Sequence, residues 1–258
     1  MSWRAKQQFK YFSFAAGAVL LILGAVLLFV FTRPGTCSDG KQNNGELGVD
    51  CGGSCARLCP FEVADVIVHW ARAFPAREGF YDAVASIENP NFNAGVKNFT
   101  YTLKLYDAKN ILVGVREGST FLNPGERFVV YENGIKAEGG SRTPQRTFFE
   151  VRGELLWESA TPLQENELVV RGVRFETARD GGLPRVVTEI TNQSTADMKD
   201  LSVVALLFDA EGNVIDASKT VVSGLAAGEA KNVTLLLSSG LRDAPSRIEV
   251  VPHRNQFE

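Results

Sequence analysis

Residues 102–112 read TLKLYDAKNIL, and residues 205–215 read ALLFDAEGNVI. Each stretch is an apolar run that ends in aromatic-Asp-Ala, followed by a short polar turn and a second apolar run. Every second residue from Phe99 to Leu105 is apolar, and this period of two is typical of a half-buried strand. The sequence therefore predicts a strand-turn-strand unit that occurs twice.

The repeat extends beyond these two turns. When Asp107 is aligned with Asp209, one extra residue near Gly212 superposes LNPGE at 122–126 on LAAGE at 225–229. Turn formers such as Gly139-Gly140 separate further short apolar runs. Strands are predicted at 62–69, 81–88, 111–115, 127–132, 146–157, 168–177, 184–191, 213–221, 230–237 and 246–251.

Short strands without an amphipathic helix are typical of small antiparallel β-sandwiches. The fold class predicted for the chain is mainly β. Two tandem sandwiches of the immunoglobulin or fibronectin kind are expected, one at residues 61–160 and one at 161–258. Neither predicted sandwich contains a cysteine, so the inter-sheet disulfide of antibody domains is not expected.

The N-terminal region predicts a membrane anchor. Residues 12–31 carry no charge and would span about 30 Å as a helix, the thickness of a bilayer core. A cleaved signal peptide is the alternative, although its apolar region is usually shorter. Arg4, Lys6 and Lys10 precede the run and only Arg33 closely follows it, which predicts that residues 1–11 are cytoplasmic. The predicted location is thus the cytoplasmic or cell membrane, with a single pass and extracytoplasmic C-terminal domains.

Four cysteines, Cys37, Cys51, Cys55 and Cys59, lie in residues 32–60, a stretch rich in Gly and Asn without a periodic apolar face. Such a stretch cannot build a core, so crosslinks or a metal must order it. In an oxidising compartment the four cysteines predict two disulfides, and their pairing stays open. Zinc is the alternative, but its structural sites usually have two residues, not three, between paired cysteines.

The same stretch contains oxygen ligands of the kind that calcium prefers. Asp39, Asn43, Glu46 and Asp50 are the candidate calcium ligands, although their spacing is not that of an EF-hand. No other cofactor is predicted.

The cysteine-rich stretch resembles a short motif of surface and secreted bacterial proteins. The motif has the form Cys-x-Asp-Gly-x-x-Asn-x-x-Glu-x-Gly-Val-Asp-Cys-Gly-Gly-x-Cys and corresponds here to residues 37–55. The resemblance implies a small extracellular disulfide module between the anchor and the β domains, with no established chemistry.

The twin turns also carry a resemblance. Leu-x-Leu-Tyr-Asp at 103–107 and Ala-Leu-Leu-Phe-Asp at 205–209 resemble the FxLYD family of bacterial β-sandwich domains, although neither copy has that family's first Phe. The order of anchor, cysteine module, HWAR at 69–72, IENPN at 87–91 and the first turn resembles membrane-anchored proteins of small-genome uncultivated bacteria. That resemblance covers nearly the whole chain and implies no activity.

Common catalytic motifs are missing from the sequence. It has no Gly-rich phosphate loop, no Gly-x-Ser-x-Gly elbow and no His-Glu-x-x-His, so we do not expect an enzyme. Asp107 and Asp209 each follow an aromatic residue at a turn, where an Asp side chain typically caps backbone amides. His69 is predicted to be a structural residue within a strand, and His253 a solvated residue of the tail.

Four aromatic residues suggest a surface for partners. Trp70, Phe74, Phe80 and Tyr81 gather around Pro75, so a contact surface is one hypothesis and core packing is the other. Three stretches match the glycosylation acceptor pattern, at Asn98, Asn192 and Asn232. These matter only in a host that glycosylates proteins.

The sequence thus predicts a membrane-anchored structural or protein-interaction protein of the cell envelope. The alternatives are an assembly factor of a secretion or pilus system and a surface receptor that binds a glycan or calcium. Besides the membrane, the expected partners are other envelope proteins. A formal net charge of -3 gives no reason to expect nucleic acid as a partner. The oligomeric state is left open.

Overall fold

The computed structural model describes residues 3–31, 35–138, 142–164, 166–177, 182–238, 241 and 244–257. Arg33 and the predicted Gly139-Gly140 turn lie outside these residues. The chain divides into two compact units, Met1–Cys55 and Ala56–Glu258, and each is described by itself.

The first unit begins with the helix α1 (Trp3–Phe31). Its residues are mainly Ala, Leu, Val and Phe, whose side chains carry no polar group. The helix satisfies the backbone hydrogen bonds internally, as lipid requires. The segment Gln7–Val30 has a mean hydropathy of 2.6 and is the one candidate membrane span that the described residues contain. By length and composition, this helix can cross a membrane.

After α1, residues 35–55 form turns rather than helices or strands. Asn44 and Asp50 have positive φ angles of 49° and 54°, a conformation that these two residue types tolerate better than most. The turns therefore depend on local side-chain contacts and crosslinks, because the stretch supplies almost no apolar core.

In the second unit, a short 3-10 helix (Pro60–Glu62) leads into the first sandwich. The strands of this sandwich are β1 (Ile67–Arg77), β2 (Phe80–Glu88), β3 (Ala94–Tyr106), β4 (Leu112–Leu122), β5 (Arg127–Lys136), β6 (Arg146–Arg152) and β7 (Glu158–Ser159). One sheet has the order β1-β2-β5, and the other has the order β4-β3-β6 with β7 beside β3. All pairings are antiparallel. Alternate residues such as Leu103 and Leu105 fill the core between the sheets.

The first strand lies further along the chain than the sequence predicts. The prediction was residues 62–69, whereas β1 runs from Ile67 to Arg77 and includes Pro75. A proline lacks the N–H that a central strand needs, but β1 is an edge strand of its sheet, where a proline is tolerated. The aromatic segment is accordingly a β-hairpin, with Gly79 at its turn and a φ of 72°.

The second sandwich repeats this topology. Its strands are β8 (Leu168–Glu176), β9 (Arg185–Asn192), β10 (Leu201–Phe208), β11 (Val214–Val222), β12 (Ala230–Leu236) and β13 (Arg247–Arg254). The sheets have the orders β12-β9-β8 and β11-β10-β13, which are the equivalents of β5-β2-β1 and β4-β3-β6. A second buried cluster, which includes Ile190 and Leu207, fills its core. The predicted tandem organisation is therefore present.

One detail of the predicted alignment was wrong. Tyr106 pairs with Leu112 and Phe208 pairs with Val214, so both hairpins have the same length, and a register shift immediately precedes Tyr106 and Phe208 alike. The turn glycines Gly125 and Gly228 are one residue further apart in the sequence than Tyr106 and Phe208 are. The extra residue of the second repeat therefore lies after this hairpin. The stretch between β11 and β12 tolerates this insertion without a change in strand pairing.

The two sandwiches pack together through one sheet of each. The outer face of the β1-β2-β5 sheet contributes Phe74, Val84, Val129 and Tyr131 to a third buried cluster. The outer face of the β11-β10-β13 sheet contributes Val204, Leu206, Phe208, Val214 and Ala217. The second unit is therefore a stack of four sheets with three apolar layers between them.

Candidate functional site

All four cysteines, each among the described residues, are disulfide-bonded. Cys37 and Cys55 form one bond, with Cα atoms 5.7 Å apart, and Cys51 and Cys59 are each in a disulfide bond too. The predicted disulfides are confirmed. In this state the sulfur atoms are not the thiolates that a zinc site requires. In the chain-entropy model, a disulfide bond that closes a loop of 18 residues stabilises the folded state by on the order of 3 kcal/mol.

The candidate calcium ligands accept hydrogen bonds from their own loop. Asp50 accepts from the backbone N–H groups of Asp39 and Gly40, each at 2.9 Å. Glu46 Oε2 accepts from the backbone N–H groups of Asn43 and Asp50, each at 3.2 Å. Glu46 is buried, and its Oε1 lies 3.3 Å from Cys55 Sγ. These carboxylates therefore order the loop around the Cys37–Cys55 bond.

Asp39 has the same kind of environment. The Asn43 side-chain amide donates to Asp39 Oδ2 at 2.9 Å, and the backbone N–H of Lys41 donates to Oδ1 at 2.9 Å. The hydrogen bond from Asn43 is the main reason that the pKa of Asp39 is lowered. The charged form of Asp39 is thus stabilised by the folded loop itself.

Asp107 and Asp209 occupy equivalent turns in the two sandwiches. Asp107 Oδ1 accepts from the N–H groups of Lys109 and Ile111, at 2.9 and 2.8 Å. Asp209 Oδ1 accepts from the N–H of Asn213 at 2.7 Å. These hydrogen bonds, led by those from Ile111 and Asn213, lower the pKa of each carboxyl. Each carboxylate caps its own turn, and the two belong to different sandwiches.

Two buried asparagines hold equivalent loops, and the sequence interpretation missed their role. Asn89 and Asn192 are both fully buried. The Asn89 side chain donates to the carbonyls of Ala94 and Asn123 at 2.7 and 2.8 Å. The Asn192 side chain donates to the carbonyls of Ala196 and Leu225 at 2.8 and 3.0 Å. Their recurrence at corresponding places in the two repeats was the available signal, and Asn192 has no exposed nitrogen for a glycan.

The four aromatic residues of the proposed contact surface lie in different environments. Phe74 is buried in the cluster between the sandwiches, and Trp70 packs partly against that cluster. Tyr81 packs against the core of the first sandwich, and Phe80 lies under the Arg77 guanidinium, 4.1 Å from the ring centroid. The structure therefore does not bring the four together into one exposed surface.

The interface between the sandwiches also contains polar contacts. Arg72 donates to the carbonyl of Val214 at 3.3 Å and to the side chain of Asn213 at 3.2 Å. Tyr131 donates to the buried carboxylate of Asp82 at 2.7 Å. Burial first, and this hydrogen bond second, raise the pKa of Tyr131. The Arg72 hydrogen bonds join the two sandwiches, whereas the Tyr131–Asp82 hydrogen bond joins two strands of the same sheet.

A sequence signal for this interface was present. The second repeat reads LSVVALLF at 201–208, where apolar residues occupy both faces of the strand, whereas the first repeat alternates. A strand that is apolar on both faces is typically buried on both faces. The equivalents of Val204 and Leu206 in the first repeat are Thr102 and Lys104.

At the edge of the same interface, a groove of about 490 Å³ separates the sheets. Trp70, Arg127, Phe208 and Arg247 are among its lining residues. The Arg247 guanidinium lies 3.6 Å over the Phe208 ring, and Arg127 donates to the Ser86 hydroxyl at 3.1 Å. The guanidinium groups of Arg127 and Arg247 therefore both contact other residues that line the groove.

The two histidines have different environments. His69 Nε2 lies 2.6 Å from Glu88 Oε2 on the neighbouring strand. His253 was predicted to be solvated, and that prediction was wrong, since the residue is 5% exposed. Its ring stacks between Phe121 and Phe128 of the first sandwich, with centroid distances of 4.0 and 4.2 Å. His253 pairs with Ser202, on the same face of the sheet as Val204 and Val251, and this face packs against the first sandwich.

Comparisons with known proteins do not identify a family. No protein-family model matches the chain, and no curated protein matches it. Among solved structures, the chain is similar to the yeast delta-COP-I mu-homology domain complexed with a Dsl1 WxWxV peptide (11% identity, 71% of this chain, 81% of that chain, TM-score 0.24). It is also similar to red sea bream transglutaminase (13% identity, 75% of this chain, 29% of that chain, TM-score 0.22). A β-glucuronidase of glycoside hydrolase family 2 matches at 12% identity (87% of this chain, 25% of that chain, TM-score 0.23).

Proposed function

We propose that the chain is a single-pass membrane protein whose β region lies outside the cytoplasm as a structural or protein-interaction element of the cell envelope. The observation that carries the proposal is the combination of an N-terminal helix able to cross a membrane with disulfide-bonded cysteines soon after it. Disulfides persist in oxidising compartments, and they are rare in the cytosol.

A non-catalytic role is part of this proposal. The equivalent carboxylates Asp107 and Asp209 accept hydrogen bonds from their own turns, so duplication explains their equivalence. The cluster between the sandwiches joins the two domains into one body, and the groove of about 490 Å³ lies at the edge of that cluster. A body of this kind supports binding and spacing functions.

The orientation of the chain is tested in cells that contain the full-length protein. With the outer layers of the cell opened, added protease should cleave a C-terminal tag and leave an N-terminal tag intact. If the C-terminal tag is protected while a known extracytoplasmic protein is cleaved, the proposal fails.

The charge pattern at the N-terminus provides a sharper version of the test. Changing Arg4, Lys6 and Lys10 together to Gln removes the positive charges that favour a cytoplasmic N-terminus. We expect a fraction of the chains to invert, which the protease test reads as a protected C-terminal tag. Lys41→Gln is the control, because it lies on the other side of the predicted span, and it should leave the orientation unchanged.

A further inference from the structure

A buried carboxylate lies against the Cys37–Cys55 disulfide. Glu46 is 7% exposed, and its Oε1 lies 3.3 Å from Cys55 Sγ. The two sulfur atoms and a carboxylate oxygen of Glu46 all lie within 4.8 Å of one another. The carboxylate and the two bonded sulfur atoms therefore form one compact cluster within the first unit.

The two oxygens of this carboxylate have unequal partners. Oε2 accepts hydrogen bonds from the backbone N–H groups of Asn43 and Asp50, as an ionised carboxylate does. No N–H or O–H group of the described residues donates to Oε1, and its neighbour at 3.3 Å is a sulfur atom. A sulfur atom in a disulfide has no proton to donate. Glu46 Oε1 is therefore a buried acceptor without a donor as long as the bond is closed.

Reduction of the bond supplies the missing donor. A cysteine thiol is a weak hydrogen-bond donor, and Cys55 Sγ already lies within reach of Glu46 Oε1. A buried acceptor that lacks a donor costs free energy, and this cost falls on the oxidised form alone. The carboxylate thus favours the reduced form of the Cys37–Cys55 bond, whereas loop closure favours the oxidised form.

We infer that the Cys37–Cys55 bond is a thiol–disulfide exchange site, which a dithiol donor outside the cytoplasm opens reversibly and which Glu46 makes easier to reduce. Cys37 is exposed and Cys55 is buried, so the incoming thiolate attacks Cys37 Sγ. The inference rests on the proposed function only for the compartment of the donor.

The exchange needs no reactant besides the dithiol. One thiolate of the donor forms a mixed disulfide with Cys37 and displaces the Cys55 sulfur, which takes up a proton and donates to Glu46 Oε1. The second thiolate of the donor attacks the donor sulfur of the mixed disulfide, and Cys37 leaves and is protonated. Two electrons and two protons thus pass from the donor to the two cysteines, and the donor becomes a disulfide.

Hydrogen bonds keep the two cysteines in position for the reverse reaction. Asp50 accepts from the backbone N–H groups of Asp39 and Gly40, each at 2.9 Å, and these contacts close the same loop without a sulfur atom. Closing a loop costs chain entropy, and here part of that cost is met before the bond forms. The bond can therefore re-form when the donor is oxidised.

Redox titration of the purified full-length chain tests the inference. The protein is equilibrated with mixtures of reduced and oxidised dithiothreitol and trapped with N-ethylmaleimide, and tandem mass spectrometry gives the reduced fraction of each cysteine. Cys37 and Cys55 should become reduced together, in mixtures that leave Cys51 and Cys59 oxidised. If Cys51 and Cys59 become reduced in the same mixtures or in less reducing ones, the inference is overturned.

Glu46→Gln separates this role from ordinary ordering of the loop. The amide keeps the shape of the side chain, removes its charge and supplies a donor toward the sulfur. Opening the bond should then need about a tenfold higher ratio of reduced to oxidised dithiothreitol, which is about 30 mV for a two-electron couple. If Glu46 only ordered the loop, the same change would make the bond easier to reduce.

Glu78→Gln is the matched control for this substitution. Glu78 is exposed at the turn of the first hairpin, so its change should leave the midpoint of the Cys37–Cys55 bond where it is. For Glu46→Gln, a midpoint that stays unchanged or moves toward easier reduction overturns the inference. Because the titration uses purified protein, this outcome is independent of the protease test of orientation.

Discussion

Single polar residues fix the loops of both sandwiches. Asn89 and Asn192 each bridge two backbone carbonyls inside the protein, and Asp107 and Asp209 each cap a hairpin. A buried carbonyl without a donor is costly, so a side chain that supplies two donors constrains the chain locally. Duplication preserved these contacts while most other side chains changed.

The two turn carboxylates should make stability depend on pH. The folded state lowers both pKa values below the ordinary value of 3.8, so their contribution is present above that value and is lost as pH falls through the folded pKa. The double variant Asp107→Asn with Asp209→Asn should lose stability less steeply than the unchanged protein below about pH 4. Urea denaturation at several pH values measures this. Asp200→Asn, which changes an exposed carboxylate, is the control, and an equal change in slope for both would contradict the prediction.

The apolar residues on the two faces of a strand determine which layers that strand packs against. Strand β10 is apolar on both faces and lies between two apolar layers, whereas its equivalent β3 is apolar on one face and partly apolar on the other. His253 pairs with Ser202 within the sheet of the second sandwich, and its ring lies in a slot between Phe121 and Phe128 of the first sandwich. The last strand therefore helps to hold both sandwiches.

The end of β13 should be a large contributor to stability. His253→Ala removes two ring contacts and leaves a cavity, at an expected cost of about 2 to 4 kcal/mol in the free energy of unfolding. His253→Phe keeps an aromatic ring in the slot, and volume-conserving changes usually cost less than about 1.5 kcal/mol. His69→Ala is the control, because the His69 side chain is 30% exposed and its pair with Glu88 is partly solvated. Equal losses for His253→Ala and His69→Ala in urea denaturation would contradict this assignment.

At the scale of the whole molecule, the packing between sandwiches makes the β region one body. Three apolar layers alternate with four sheets, and the middle layer joins the repeats through faces that are not equivalent. Such a contact uses one face of each repeat and leaves the other outer faces exposed. The outer face of the β4-β3-β6 sheet is therefore exposed, whereas the equivalent face of the second sandwich is buried.

Breaking the middle layer should separate the unfolding of the two sandwiches. Leu206→Asp places a charge without a partner in the buried cluster, and the two sandwich cores should then melt at different temperatures. Calorimetry should show two transitions in place of one. Thr100→Asp is the control, because Thr100 is exposed on the equivalent sheet of the first sandwich. A single transition at an unchanged temperature would contradict the role of the cluster.

The sequence by itself determined the elements of this protein: a helix from its uncharged run, disulfides from its clustered cysteines, and two similar sandwiches from its repeated alternation. Those features depend on neighbours along the chain, so local patterns are sufficient to reveal them. Only the tertiary structure decided which faces meet, that His253 is buried, and that Trp70 and Phe74 serve the contact between sandwiches. The sequence does not reveal which residue covers a given apolar side chain, because residues that meet between sheets are far apart in the chain.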